Sequence, residues 1–186
     1  MSKSQKSFEN LKPEQVIELR KKNLLNKFYF TSLIKKVLLI ALILYITFNY
    51  VFGIMVMPNK DMTPRISPSD LLIYYRLDKE YIANDVVIVN KNGKDSVFRI
   101  VAVAGNEVSI TEDGLMINGA YQSNQDIYFK TGVYEEGIKF PITLKEDEVF
   151  VLGDLREGAM DSRYFGPIKL GDIKGKVFVL LRRTQF

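Results

Sequence analysis

The sequence contains no cysteine and no histidine. Without cysteine, disulfides, thiolate nucleophiles and cysteine-ligated metal sites are excluded. Without histidine, the chain lacks the side chain that most often serves as a general base or a metal ligand near neutral pH. Any hydrolytic chemistry would therefore depend on serine, threonine, lysine, aspartate or glutamate, and we expect no metal and no cofactor.

Charge is missing from one long stretch. Residues 37–59, VLLIALILYITFNYVFGIMVMPN, run for 23 residues without a charged side chain. About 20 apolar residues in a helix are enough to span the core of a bilayer. The stretch predicts one uncleaved transmembrane helix over residues 37–57. Two alternatives are a buried core helix, which is rarely uncharged over this length, and a cleaved signal peptide, whose basic leader is much shorter than 36 residues.

Basic residues dominate the segment before this run. Residues 1–36 carry nine lysines and arginines against three glutamates. By the positive-inside rule, this leader is expected in the cytoplasm, with residues 58–186 outside the cell membrane. Within the leader, residues 13–36 are expected either as a helix on the anionic inner leaflet or as a merely solvated charged helix.

The pattern of residues 58–186 is that of a β domain. Short runs rich in valine, isoleucine, tyrosine and phenylalanine are separated by turn residues, as in successive antiparallel strands. The runs are LLIYYRL, DVVIVN, DSVFRIVAVAG, EVSITEDG, LMING, EVFVLGD and GKVFVLLRR. Asn92-Gly93 is a strong hairpin signal and Asn118-Gly119 a second one. Residues 123–140 read as a longer, weaker insertion.

Four motifs follow one another in this part of the chain. They are DMTPRISPSD from Asp61, NDVVIV from Asn84, FRIVAVAGN from Phe98 and GDLREGAMDSRYFG from Gly153. In order and spacing they resemble the four sequence boxes of type I signal peptidases, peptidase family S26. The resemblance implies a mainly β, signal-peptidase-like antiparallel domain behind one N-terminal transmembrane helix. The matching positions are Met62, Pro64, Asp70, Arg99, Gly153, Asp154, Asp161, Ser162, Arg163, Phe165 and Gly166, with Ile66 in place of leucine.

The departures from the family pattern are concentrated at the positions of the chemistry. The resemblance places the nucleophilic serine at Asp61, the general-base lysine at Phe98 and the lysine-orienting serine at Ala159. Asn59 stands where a hydroxyl assists the oxyanion hole, and Lys60 replaces the glycine before the nucleophile. A Ser–Lys dyad needs a hydroxyl that attacks and a desolvated amine that takes its proton. The resemblance therefore implies that no catalytic residue is intact.

The remaining matches describe a framework. The resemblance assigns Arg99, Asp161 and Arg163 to a structural ion-pair cluster near the site, and Gly153 and Asp154 to its supporting turn. We interpret these residues as maintaining the fold.

A scaffold that is kept while its chemistry is removed is typical of a pseudoenzyme. The chain resembles SipA-type signal-peptidase-like proteins of Gram-positive pilus islands, which carry aspartate at the nucleophile position. Three hypotheses follow. The chain binds a pilin or secretory segment as an added β-strand and assists pilus assembly; it is a working peptidase that uses a carboxylate pair, Asp61 with Asp161; or it serves another partner, such as a sortase, or has little function. A nucleic-acid partner is not expected.

Overall fold

The computed structural model describes residues 12–122 and 131–182, and the chain divides into two units, residues 1–47 and 48–186. The first unit consists of one helix, α1, Pro13–Ile46, and the helical path continues as a π-helical turn, Thr47–Val51. Pro13 favours the helix start because its φ is preset and its missing N–H needs no partner there. The Gln15 side chain accepts a hydrogen bond from the Lys12 N–H at 3.1 Å, which satisfies a free donor of the first turn.

The long helix includes the basic stretch before the apolar run. None of the residues of α1 is buried, which argues against a core helix. Among the described residues, Pro13–Val51 is the one helix long and apolar enough to cross a membrane, with a mean hydropathy of 1.9 in its most apolar part. The predicted helix over residues 13–36 is therefore present and is continuous with the apolar segment.

The predicted C-terminal end of the membrane helix, at residue 57, is wrong. Phe52–Val56 forms strand β1, which pairs antiparallel with β2, Leu71–Tyr75. A short apolar run fits a helix or a buried strand equally well, so composition alone does not separate them. The uncharged part of the helical path is thus residues 37–51, about 22 Å at 1.5 Å per residue. Because a bilayer core is about 30 Å thick, any span begins upstream of Lys36, with lysine stems reaching back to the interface.

The second unit contains two antiparallel sheets. The larger has the strand order β1-β2-β11-β3-β4-β9-β10, and the smaller has the order β7-β6-β5-β8. The remaining strands are β3 Val86–Lys91, β4 Lys94–Ala102, β5 Glu107–Thr111, β6 Gly114–Ile117, β7 Ala120–Tyr121, β8 Ile142–Thr143, β9 Glu148–Leu152, β10 Ile168–Lys169 and β11 Ile173–Leu181. A short helix, α2 Ser162–Phe165, and a 3₁₀ turn, Leu170–Asp172, lie between β9 and β11.

Both predicted hairpins are confirmed. Asn92 and Gly93 have φ of 53° and 79° between the paired residues Lys91 and Lys94, as a two-residue primed turn requires. Asn118 and Gly119, with φ of 50° and 77°, connect β6 to β7 in the same way. All seven predicted strand runs contain strands, and the short strands β7, β8 and β10 were not predicted. Of the predicted insertion, residues 123–130 lie outside the described residues, and residues 131–140 form no helix or strand.

Three groups of buried apolar side chains form the core of the second unit. One of them brings the loop between β1 and β2 onto the large sheet. Met62 and Ile66 of this loop are buried with Leu72 of β2 and Ile88 of β3. At about 25 cal/mol per Å² of apolar surface, each such side chain contributes roughly 1.5–3 kcal/mol on burial. The loop that carries Asp61 is thus held in place by the burial of Met62 and Ile66, which follow Asp61 closely in the sequence.

Candidate functional site

The loop from Met57 to Asp70 positions the first motif. The Met57 N–H donates to the Asp70 carbonyl and the Ser69 N–H donates to the Met57 carbonyl, so the two ends of the loop are joined. The buried Asp70 carboxylate accepts a hydrogen bond from the Ser67 N–H at 2.8 Å. Buried polar groups are normally satisfied in this way, which explains the aspartate at this position. Pro64 lies in this loop between the two buried side chains Met62 and Ile66.

Asp61 is held by contacts on both its backbone and its side chain. The Asn59 side-chain amide donates to Asp61 Oδ2 at 2.7 Å, and the Asp61 N–H donates to Asn59 Oδ1 at 3.2 Å. The Asp61 carbonyl accepts a hydrogen bond from the Leu155 N–H at 2.9 Å. Asn59, predicted at the oxyanion side, is therefore committed to the carboxylate. The neighbouring Lys60 is exposed, and its carbonyl accepts from Thr63.

The environment of Asp61 disfavours its charge. Partial burial raises the pKa of this carboxyl above its usual value, and the negative charge of Asp161 raises it further. The hydrogen bond from Asn59 and the positive charges of Lys94 and Lys60 act in the opposite direction without outweighing these effects. Burial and a like charge both favour the neutral form of an acid.

Gly153 lies next to both Asp61 and Ala159, the residues that the resemblance places at the positions of the nucleophile and the orienting serine. A Cβ added at Gly153 would lie 2.7 Å from the Ala159 Cβ and 2.8 Å from the Asp61 carbonyl oxygen. Both distances are shorter than real Cβ contacts, so only glycine allows the two segments to approach this closely. Asp61 and Ala159 are therefore brought close together beside Gly153.

Phe98 lies in the apolar core. Only 3% of the residue is exposed, and it belongs to the buried cluster that includes Val87 of β3 and Val151 of β9. Its ring contacts Phe165 edge to face, an arrangement that aromatic pairs prefer. The side chain that the resemblance places at the general-base position is thus a packing element that carries no proton-accepting atom.

Two buried ion pairs surround the site. Arg99 of β4 binds Asp154 through two parallel bonds, Nε to Oδ1 at 2.8 Å and Nη2 to Oδ2 at 2.6 Å. A third bond runs from Arg99 Nη1 to the Asn84 carbonyl at 3.0 Å. Bidentate arginine–carboxylate pairs fix geometry as well as charge. Asp154, predicted in the supporting turn, is itself the partner of Arg99.

The second pair lies at the start of α2, between its N-cap residue Asp161 and Arg163. Asp161 Oδ1 accepts from Arg163 Nε and Oδ2 accepts from Arg163 Nη2, both at 2.9 Å. The same carboxylate accepts from the N–H groups of Arg163 and Gly153, and the former caps the first turn of α2. The adjacent Ser162 Oγ accepts from the Val151 N–H at 3.0 Å. Both oxygens of Asp161 are therefore fully used by the framework.

Three residues near the site were not predicted from the sequence. Tyr134 donates its hydroxyl to the Ala159 carbonyl at 2.8 Å, and its ring lies under the Arg163 guanidinium. Arg156 is buried, and it donates from Nη1 to Thr131 Oγ1 at 2.6 Å. Burial and the charge of Arg163 lower the pKa of Arg156 to about 10. Arg156 stands inside the fourth motif, where its charge could have been noticed, whereas nothing in the sequence marks Tyr134 or Thr131.

The described part of the chain contains no group of three or more acidic side chains placed to hold a metal ion.

Comparisons with known proteins agree with the four motifs. The family model described as "Signal peptidase, peptidase S26" matches residues 30–181. Signal peptidase I P of Bacillus subtilis subsp. natto is 33% identical over 154 residues, which cover 75% of this chain and 82% of that protein. Signal peptidase I of Bacillus caldolyticus is 29% identical over 142 residues, covering 69% of this chain and 78% of the relative.

A more distant relative and a solved structure extend this picture. Subunit 1 of the mouse mitochondrial inner membrane protease is 26% identical over 142 residues and covers 73% of each chain. A crystal structure of a signal peptidase I from Enterococcus faecalis is 25% identical, with a TM-score of 0.45, and covers 53% of this chain and 97% of that one. On the family model and the Bacillus relatives, the chain belongs to the signal peptidase family, peptidase S26.

Proposed function

We propose that the chain is a membrane-anchored member of this family that has lost the Ser–Lys dyad and binds extended pilin or secretory segments without cutting them. In this role it assists pilus assembly at the surface of a Gram-positive cell. The observation that carries the proposal is the core position of Phe98, whose buried ring packs against Phe165 where the family pattern has an amine base. A phenyl ring accepts no proton at any pH, so a nucleophile at position 61 could not be activated from there.

The side chain at the nucleophile position supports the same conclusion. Asp61 has no hydroxyl, and its carboxylate places negative charge where a tetrahedral intermediate would develop its oxyanion. Asn59, which could otherwise stabilise that oxyanion, donates its amide to Asp61 instead. The relatives are named signal peptidases. This chain departs from the family pattern at the residues that such an activity would use.

The alternative is a peptidase in which Asp61 and Asp161 share a proton and activate water. The raised pKa of Asp61, caused by burial and by the charge of Asp161, is the feature that favours it. However, Asp161 accepts four hydrogen bonds, three from Arg163 and one from Gly153. No oxygen of Asp161 is left to share a proton, because each already accepts two hydrogen bonds. We therefore prefer the non-hydrolytic function.

An open strand edge offers the means of binding. β1 is the terminal strand of the large sheet, and its outer edge has no partner strand among the described residues. Ile54 and Val56 of this strand are exposed, and the chain continues from Val56 to Asp61 within five residues. An extended segment can add to such an edge through main-chain hydrogen bonds, with alternate side chains in contact with the apolar face.

Membrane anchoring completes the proposal. The apolar helix is preceded by an excess of basic residues, which favours a cytoplasmic N-terminus and an extracellular second unit in the cell membrane. Protease added to wall-stripped cells should then digest the second unit and leave the basic leader protected. Full protection of the second unit would contradict this orientation.

A deletion experiment tests the function. Cells of a piliated Gram-positive host that lack the chain should fail to assemble pilin polymers, while the processing of other signal peptides continues. The purified chain should cleave no signal-peptide substrate between mildly acidic and alkaline pH. Normal pilus assembly in the deletion strain would favour another partner, such as a sortase-dependent process without pili. Turnover that Asp61→Ala abolishes would establish the carboxylate peptidase.

A further inference from the structure

Asp61 is held in the site by several contacts for which the proposed binding function gives no reason. Its main chain is tied to Leu155 by a hydrogen bond and packs against Gly153, and its Oδ2 is held by the Asn59 amide. A relic carboxylate would need no such support. The same loop is anchored in the core by Met62, so the position of Asp61 is defined on both sides.

The carboxylate lacks an ion-pair partner in the part of the chain that the structure describes. No lysine or arginine of residues 12–122 and 131–182 lies within salt-bridge distance of Asp61, and Oδ1 accepts no hydrogen bond from these residues. By contrast, the neighbouring buried carboxylates of Asp154 and Asp161 each have an arginine. Asp61 is therefore the acidic group of the site that is free to take a cation.

The charges around Asp61 leave its carboxylate with a net electrostatic attraction for a cation. Asp161 faces it and is paired with Arg163 at 2.9 Å, so only part of its negative charge acts on Asp61. The exposed side chains of Lys60 and Lys94 act on Asp61 at longer range. Burial raises the pKa of the Tyr134 hydroxyl, which lies close enough for the negative charge of Asp61 to help raise it. Because exposed lysines are screened by water and salt, they compensate a half-buried carboxylate only in part.

We propose that Asp61 is a specificity-determining residue that binds the ammonium or guanidinium group of a lysine or arginine in the captured segment, through the Oδ1 that Asn59 leaves free. This inference rests on the proposed function and names the side chain that the site selects. A cation that reaches Oδ1 replaces water by a charge-assisted hydrogen bond, which is stronger than a bond between neutral groups. The Asn59 amide keeps the other oxygen in place, so the carboxylate is preorganised for this contact.

The pH dependence of binding follows from the same contact. Burial and then the Asp161 charge raise the pKa of Asp61, so the carboxylate is protonated at a higher pH than an exposed aspartate. Lysine or arginine selection should be complete above that raised pKa and should disappear as the pH falls through it. The charged groups that face Asp61 are Asp161, which is paired with Arg163, and the lysines Lys60 and Lys94, and the Tyr134 hydroxyl also lies near it.

The experiment uses the full chain in lipid nanodiscs and two sets of short Ala/Val peptides at physiological ionic strength. One set carries a single lysine at successive positions, and the matched set carries glutamine there. Fluorescence anisotropy should show the best lysine peptide binding about tenfold more tightly than its glutamine counterpart, a difference typical of one charged contact. Asp61→Asn should reduce this ratio to about twofold or less, whereas the exposed control Asp172→Asn should leave it unchanged. Asp61→Lys should prefer a peptide with glutamate at the same position.

The outcomes separate this inference from the function on which it depends. If wild-type protein binds both peptide sets equally, or if Asp61→Asn weakens both sets alike, Asp61 selects no cation and the inference is wrong while peptide binding stands. If neither set binds, the proposed function fails and the inference fails with it. A lysine preference that persists in Asp61→Asn would place the selecting group elsewhere and would also overturn the inference.

Discussion

The ring of Phe98 meets the ring of Phe165 edge to face, with centroids 5.9 Å apart and an interplanar angle of 65°. Lys91 of β3 places its ammonium 3.9 Å from the centroid of the same Phe165 ring. Where the family pattern has an amine base, this chain thus has an apolar ring. The Lys91 ammonium already lies against the neighbouring ring, that of Phe165. A second amine would enter an environment that is both desolvated and positively charged.

The first prediction is that Phe98→Lys destabilises the second unit strongly. A buried ammonium without a partner is expected to cost several kcal/mol, about 3–5, and repulsion from Lys91 adds to this cost. The matched control Phe98→Leu keeps an apolar side chain and should cost about 1 kcal/mol. Urea unfolding of the full chain in detergent micelles measures both variants. Equal costs for the two would show that position 98 tolerates an amine and that the expected cost of burial is wrong.

The second prediction concerns restoration of the dyad. Asp61→Ser with Phe98→Lys and Ala159→Ser would introduce the hydroxyl, the amine and its orienting group together. We expect at most weak cleavage of a signal-peptide substrate, because Asn59 and Lys60 still differ from the hydroxyl residue and the glycine of the family pattern. In addition, a dyad misplaced by 1 Å can lose about 100-fold in rate. The double variant Phe98→Lys with Ala159→Ser, which keeps Asp61, serves as the blank. A rate equal to that of a Bacillus signal peptidase I would mean that these three substitutions are sufficient for cleavage.

The third prediction uses two aspartates whose pKa values shift in opposite directions. The pKa of Asp61 is raised by burial and by Asp161, so the native state binds this proton more tightly than the unfolded chain. Stability contributed by protonated Asp61 is lost as the pH rises through the shifted pKa. Asp61→Asn should therefore raise the thermal midpoint near neutral pH and have no such effect at a pH below about 3.8.

Asp78 provides the control of opposite sign. A hydrogen bond from the Glu80 N–H and the contact with Lys176 lower the pKa of its carboxyl. Its contribution to stability is present above the unfolded pKa and is lost as the pH falls through the lower folded value. Asp78→Asn should lower the thermal midpoint at neutral pH, and the difference should vanish in acid. If both variants changed stability in the same direction, the contrasting environments of the two carboxyls would be refuted.

The parts of the fold that the sequence predicted are those fixed by local rules. Asn92-Gly93 specifies its turn because both residues must adopt positive φ, and few other pairs do so at low cost. The alternation of buried and exposed residues along β5 is likewise local. By contrast, the pairing of Arg99 with Asp154 joins residues that are 55 positions apart in the sequence. The family pattern placed both near the site, but only the fold shows which partner each takes.

The parts that were missed depend on contacts that composition does not encode. Tyr134 reaches the Ala159 carbonyl from a segment without regular structure, and no periodic pattern marks such a residue. Asn59 was expected to line the oxyanion side, yet its amide turns to Asp61, because a carboxylate two residues away is the strongest nearby acceptor. β1 was read as the end of a membrane helix, since its five residues continue an apolar run without a charge.

The last prediction tests that reassignment at Gly53. In β1, Gly53 lies opposite Tyr74 of β2, and a Cβ at this position would overlap the Tyr74 ring. Gly53→Ala should therefore destabilise the second unit by about 1–3 kcal/mol, the usual cost of overpacking a well-packed site. In a membrane helix the same change would instead favour the helix by up to about 1 kcal/mol, because alanine is the better helix former.

Two further variants make the Gly53 test specific. Gly171→Ala, where an added Cβ meets nothing within 4 Å and φ is not positive, should stay within about 0.5 kcal/mol of the wild type. Tyr74→Leu in the Gly53→Ala background should recover part of the lost stability, since a smaller side chain leaves room for the added methyl. The two mutations should therefore be non-additive, as expected for residues in direct contact. Thermal unfolding followed by near-ultraviolet circular dichroism measures the wild type, Gly53→Ala, Tyr74→Leu, their combination and Gly171→Ala. A Gly53→Ala chain as stable as the wild type would return residues 52–56 to the membrane helix and remove the strand edge on which the proposed peptide binding depends.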